Sequence, residues 1–288
     1  RADAKFIADE KLLSKKHINI VFEGIDTISE IYLNGFCIGK TQNMHRRYSF
    51  DVKSVLAEGE NFLQIKIFSP IKYAQQKQSK NRVYGFNEWM RGFAHIRKAH
   101  YSFGWDWGPQ LPDMGIFRRT FILAYDDIII NDTNINQHHN KDFAVLQIQS
   151  DIAAGSEYQY IVKLTNPQGK LIFDGAFSKP AAQITVTNPQ LWWPNGYGSQ
   201  PLYKLQIKAV CGGESDEKTY YIGLRTLKVC TDKDNSGRQF CFEINGKKIF
   251  SMGGNYIPED NILPNINKER TDNLLSDLKK ANFNTVRV

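Results

Sequence analysis

Ile31-Tyr32-Leu33-Asn34-Gly35-Phe36-Cys37-Ile38 sets two short apolar runs on either side of an Asn-Gly pair. Asn and Gly tolerate the positive φ angles of a two-residue hairpin, so this stretch predicts two antiparallel strands. The pattern extends in both directions. Ile18 to Phe22 and Tyr48 to Val52 read as further strands, and Glu58-Gly59-Glu60-Asn61 turns the chain into Phe62 to Phe68. In that last run Leu63, Ile65 and Ile67 share one face at period two. Short strands joined by polar turns at this spacing predict an antiparallel sandwich. Residues 71–95, rich in Gln, Lys and Asn, lack a clean period and read as a long irregular excursion. Ile116 to Tyr125 then closes the first domain, residues 1–126.

Residues 127–228 read as a second, immunoglobulin-like sandwich. Its strands are Phe143 to Ile148, Tyr158 to Leu164, Leu171 to Phe173, Leu202 to Val210 and Tyr220 to Leu224. Trp192-Trp193-Pro194-Asn195-Gly196 lies inside it, either as a sugar platform or as a clamp on a domain corner. After residue 229 the pattern changes. Phe240 to Phe250 forms a hairpin, and Ser251 to Pro258 reads as a loop at a strand's end. Asn267 is placed to cap a helix carrying Leu274, Leu275, Leu278 and Ala281 on one face. Phe283 to Val288 returns as a strand. Strand, helix and strand make the first βαβ unit of residues 229–288, far short of the ~250 residues of a complete (β/α)8 barrel.

Composition narrows the function classes. The chain has 288 residues, a formal charge of +7, 41% hydrophobic and 23% charged residues, an ordinary globular balance. The clusters Arg46-Arg47, Arg91 to Lys98 and Arg118-Arg119 are dispersed and read as solvated faces, so no nucleic-acid partner is expected. No apolar run is long enough to cross a bilayer, so a soluble protein with no membrane partner is expected. Cys37, Cys211, Cys230 and Cys241 lack metal-ligand or disulfide-framework spacing, and His138-His139 reads as a polar surface turn. No metal and no cofactor is expected. The chain opens at Arg1, so targeting signals upstream would escape notice and the compartment stays open.

One stretch suggests chemistry. In Ser102-Phe103-Gly104-Trp105-Asp106-Trp107-Gly108-Pro109, two indoles flank a carboxylate between turn-forming glycines. Held outward, Trp105 would cover a sugar's C–H face while Asp106 accepts its hydroxyl protons. Alternatively both tryptophans are core and Asp106 caps a backbone. Glycoside hydrolysis commonly needs two carboxylates. Asp106, Asp113, Glu259 and Asp260 are candidate acids, but no two stand out as a catalytic pair.

These residues resemble the β-mannosidases of glycoside hydrolase family 2. The likeness runs through Phe22 to Thr27 with Tyr32-Leu33-Asn34-Gly35, then Ile96-Arg97-Lys98 with Ser102 to Pro109. It continues through Trp192 to Tyr203 and Phe242 to Pro258. It implies a mainly β chain: a jelly-roll, galactose-binding-like sandwich, an immunoglobulin-like sandwich and the start of a (β/α)8 barrel. The implied activity is removal of terminal, non-reducing β-D-mannose with retention, from a β-mannoside oligosaccharide substrate. Carried over residue by residue, Trp105 and Asp106 contact the mannose in the −1 subsite, Arg287 lies beside the nucleophile, and Asn255 and Asp260 line the pocket. The acid/base and nucleophile glutamates are implied beyond Val288, so the remainder of the barrel is an expected partner. The first sandwich is expected to lack its opening segment. A non-catalytic carbohydrate-binding module and a hydrolase for β-glucosaminides or β-galactosides are the alternatives. The compartment implied is cytoplasmic for a bacterial protein, with lysosomal or secreted forms open.

Overall fold

A computed structural model describes residues 1–85 and 91–288. The chain is mainly β and divides into two compact units, residues 1–126 with 258–271, and residues 127–257 with 272–288. Among the described residues no helix is long and apolar enough to cross a membrane.

The first unit is a sandwich of a four-stranded and a three-stranded sheet. Ala2–Ala8, Gly59–Ile67, Ser29–Leu33 and Phe36–Thr41 pair in that order, and Tyr48–Asp51, His17–Phe22 and Thr120–Tyr125 form the other sheet. Every pairing within them is antiparallel. The Asn34-Gly35 hairpin is present. Leu33 faces Phe36 across it, and φ is 50° at Asn34 and 87° at Gly35. Buried Asn61 braces the neighbouring turn. Its amide donates to the Ala57 and Gly59 carbonyls, and its oxygen accepts from Ala57 N–H and the Asn34 amide. Alternation then buries Leu63 and Ile65 against Ile18, Ile20, Phe22, Ile31 and Leu33.

The expected irregular excursion is partly a helix, Pro70–Lys80. Ser69 caps it, its side chain accepting from Lys72 N–H, and Pro70 occupies the first turn, where its missing N–H costs nothing. Only Pro70 and Ala74 of this helix are buried, which explains the absent apolar period. Residues 86–90 of the excursion lie outside the described residues. A second correction concerns the charged run Arg91 to Lys98. Lys98 is a core residue, its side chain 1% exposed.

In the second unit, Ile128–His139, Phe143–Ala154 and Ala181–Thr187 form one sheet. Leu171–Phe177, Gln159–Thr165, Tyr203–Cys211 and Glu214–Ile222 form the other. Alternate residues Tyr160, Val162, Leu164, Leu205 and Ile207 meet Leu146, Ile148 and Ile184 in the core. The buried Tyr160 hydroxyl finds the Ser150 hydroxyl at 2.8 Å, which removes the penalty of an unmade hydrogen bond. His138 and His139 end a strand rather than a turn. Trp192 and Trp193 form a corner. Trp192 N–H donates to the Leu224 carbonyl, its ring lies against Gly223, and the Arg225 guanidinium sits 5.2 Å from the ring centroid. Both rings are half-buried, and a β-carbon at Gly198 would strike Trp193 at 2.9 Å.

This unit also contains the strand triplet Leu227–Cys230, Cys241–Ile244 and Lys247–Ile249. Gly253–Asn255 runs parallel to Thr285–Arg287, with Gly253 facing Thr285 and Asn255 facing Arg287. The helix Lys268–Lys280 intervenes in sequence, and the Asn267 side chain accepts from Arg270 N–H at 2.9 Å as its N-cap. The expected apolar face is not buried. Leu274 and Leu278 are half-buried and Leu275 is exposed, since a parallel pair of three-residue strands offers little surface to pack on. The Asn195 amide donates to the Phe283 carbonyl at 3.1 Å, tying the Trp192-Trp193 corner to the turn after the helix. Gly253 admits no side chain. Its β-carbon would lie 1.8 Å from the Thr285 carbonyl oxygen, a backbone atom that cannot rotate away. Gly253→Ala is expected to destabilise this strand pair by at least ~1–3 kcal/mol. Faster amide exchange at residues 253–255 and 285–287, with protection of the 203–211 strand unchanged, would register it.

Candidate functional site

The Trp-Asp-Trp turn is built from its base upward. Phe103 is fully buried with Phe93 and Ile96, against Ile28 and Tyr73, and pins the approach to the sandwich. The Ser102 hydroxyl donates to the Ala99 carbonyl at 2.7 Å, and Leu111 N–H donates to the Ser102 carbonyl at 2.9 Å. Gly104 has φ 105°, and a β-carbon there would meet the Gln110 side chain at 2.6 Å. Trp105 and Gly108 exchange backbone hydrogen bonds of 3.2 Å each, leaving Asp106 and Trp107 at the tip of a two-residue turn. Asn261 supports the far side, its amide donating to the Pro109 carbonyl at 3.1 Å.

This architecture turns the tip outward. Trp105 is 44% exposed, and Trp107 leans on Tyr101 with ring centroids 5.7 Å apart. Asp106 is exposed and makes no hydrogen bond or ion pair among the described residues. The core-loop reading, with both indoles buried and Asp106 capping a backbone, does not describe this turn. A half-exposed indole beside an uncommitted carboxylate can cover a sugar face and accept hydroxyl protons.

Beneath the turn lies a charged cluster that sequence reasoning missed. The buried Lys98 ammonium hydrogen-bonds Asp26 and reaches Asp113 at 3.2 Å. Lys98 and Asp113 stand at the two ends of the segment that carries the turn, so their ion pair closes its neck. Burial pushes the Asp26 carboxyl above the usual carboxylate range, against the downward pull of the Lys98 hydrogen bond and charge. Burial also raises the Tyr101 phenol, aided by the charges of Asp113 and Asp26. Asp26 and Lys98 lie 72 positions apart, and no spacing rule joins them.

The other candidates fall into place separately. Asp260 belongs to the first unit and holds a turn. Its carboxylate accepts from Ile262 N–H at 2.8 Å and from the Asn265 amide at 3.2 Å. These bonds, the backbone one foremost, lower its pKa, with the Arg270 charge adding to them. Neighbouring Glu259 is nearly buried and accepts from the Thr271 hydroxyl at 2.7 Å. Asn255 and Arg287 belong to the second unit and are brought together there. The Arg287 guanidinium donates to the Asn255 side-chain oxygen at 3.1 Å, and Tyr256 N–H donates to the Arg287 carbonyl at 2.7 Å.

Comparison with known proteins gives this geometry a context. Residues 2–118 match the family model described as glycosyl hydrolase 2 galactose-binding domain-like, and residues 128–225 match glycosyl hydrolases family 2. The β-mannosidase of Bos taurus is 31% identical over 316 residues, covering 99% of this chain and 35% of that protein. β-Mannosidase B of Aspergillus terreus is 32% identical over 266 residues, covering 87% and 31%. The crystal structure of β-D-mannosidase from Dictyoglomus thermophilum superposes with a TM-score of 0.90 at 34% identity, covering 99% of this chain and 36% of that one. An exo-chitosanase from Amycolatopsis orientalis, at 22% identity and a TM-score of 0.69, shares the fold. The chain spans about a third of the length of the curated relatives it matches.

Proposed function

The chain belongs to glycosyl hydrolase family 2, and from that membership we propose that the whole protein is an exo-β-mannosidase. It removes terminal, non-reducing β-D-mannose with retention of configuration. One carboxylate attacks the anomeric carbon, and a second protonates the departing oxygen and then activates water. Both belong to later strands of a (β/α)8 barrel that the strand–helix–strand of residues 253–287 begins. This chain contributes two accessory sandwiches and part of the −1 subsite.

Within that subsite Trp105 covers the apolar face of the mannose, and Asp106 accepts protons from its hydroxyls. Arg287, oriented by Asn255, keeps the neighbouring nucleophile ionised by its positive charge. Asp260 shapes the pocket by holding its own turn rather than by binding sugar directly. The observation that carries the reading is Asp106, an exposed carboxylate with no partner among the described residues, at the tip of a turn braced from both sides.

Two assays test it. The whole protein is expected to turn over an aryl β-mannoside with a kcat/KM well above those for the matching β-glucosaminide and β-galactoside. Preference for either of the others would overturn the mannose assignment. The 288-residue chain alone is expected to release no aryl group, because its part is to bind and not to attack. Turnover by the purified chain would place a catalytic pair within it and refute the division of labour.

A further inference from the structure

The first unit holds a groove of about 710 Å³ at one end of its sandwich, and none of its lining residues belongs to the Trp105 turn. It is bounded by the end of the Phe36–Thr41 strand, the loop that follows, the start of the Pro70–Lys80 helix and the segment around His95 and Arg97. Its size suits a small ligand of two or three rings.

Charge distinguishes this groove. Arg46 and Arg97 both line it, both are exposed, and neither has a carboxylate within ion-pair distance among the described residues. Lys40 and Glu30 also line it, but they neutralise each other at 2.8 Å. Among the described lining residues the surplus is therefore two guanidiniums. Unlike an ammonium, a guanidinium presents a planar fork of donors that matches a carboxylate.

The rings supply the second half of the argument. The Tyr48 hydroxyl accepts from Gln42 and Asn43 N–H and donates to the Asn43 carbonyl, so its ring is held still. The Arg46 guanidinium lies 6.0 Å from that ring's centroid. Phe68, 45% exposed, lines the same groove. A fixed aromatic face next to uncompensated guanidiniums suits a molecule with an apolar ring face and an acidic substituent. The side-chain amide nitrogen of Asn43 donates no hydrogen bond among the described residues and is free to meet hydroxyls.

We infer that this groove is a second carbohydrate site, and that it takes an acidic saccharide. The sugar ring lies against Tyr48 and Phe68, and its carboxylate is forked by Arg46 and Arg97. This inference does not depend on the mannoside reading.

The test is calorimetric titration of the 288-residue chain with trigalacturonate, and in separate arms with mannotriose, inorganic phosphate and AMP. Saturable binding of trigalacturonate is expected, weakened about tenfold or more in Arg46→Met and in Arg97→Met. Asp106→Asn should bind it as the unaltered chain does, which separates this groove from the Trp105 turn. Both arginines are exposed, and thermal unfolding of each variant would show that the fold persists. Absence of trigalacturonate binding would overturn the inference. So would equal binding of mannotriose, phosphate or AMP, or arginine variants that bind as well as the unaltered chain.

Discussion

Asp106→Ala in the whole protein is expected to lower kcat/KM for an aryl β-mannoside by ~10²–10³, equivalent to about 2.7–4 kcal/mol. The size follows from where the carboxylate stands. It projects from a two-residue turn closed by the Trp105–Gly108 hydrogen bonds, so little ordering remains to be done when sugar arrives. A charged acceptor on a sugar hydroxyl strengthens as the ring flattens and gains positive character, so its loss falls mainly on the transition state. Most of the fall should therefore appear in kcat. Asp106→Asn keeps the shape and a neutral acceptor and should fall between the two. Because Asp106 makes no hydrogen bond among the described residues, its removal should leave the unfolding temperature unchanged. Steady-state kinetics with a parallel unfolding scan checks both halves of this expectation.

Lys98→Met should give the largest loss of stability, about 3–5 kcal/mol at neutral pH. Methionine fits the volume but strands the Asp26 carboxylate in a site where its side chain is 6% exposed. The pH dependence follows from the direction of the Asp26 shift. Its folded pKa stands above the unfolded value, so folding takes up a proton. Stability from this group is full below the ordinary carboxylate range and is lost as pH rises through the raised pKa. Without Lys98 the shift grows, so the deficit should be largest near pH 7 and shrink as the pH falls toward 4. Adding Asp26→Asn to Lys98→Met removes the stranded charge and should restore much of the stability at neutral pH. Denaturant unfolding across this range, on single and double variants, distinguishes a buried charge from a packing defect, which would not vary with pH.

The parts of the molecule legible from sequence are those governed by local rules. Asn34-Gly35 marks its hairpin because few other pairs accept two positive φ angles. Leu63 and Ile65 announce a buried face by alternation, and Asn267 announces a helix start. The outward set of Trp105 and Asp106 follows from glycines on either side, although those glycines equally permit a buried loop. What stayed hidden depends on distant partners. Lys98 sits in a run of cations and looks solvated, and only the fold brings Asp26 to it. The Pro70–Lys80 helix buries too little to leave a period. Of the expected apolar face, Leu274, Leu275 and Leu278 lie on the helix and Ala281 falls just past its end, and a period reveals what a face prefers and not what covers it.

The most direct measurement is a crystal structure of the whole protein with a mannose-configured inhibitor bound. An Asp106 oxygen should lie within about 2.5–3.2 Å of a sugar hydroxyl, with the Trp105 ring against the sugar's C–H face. An inhibitor fully enclosed by barrel residues, with Asp106 and Trp105 out of contact, would contradict the account.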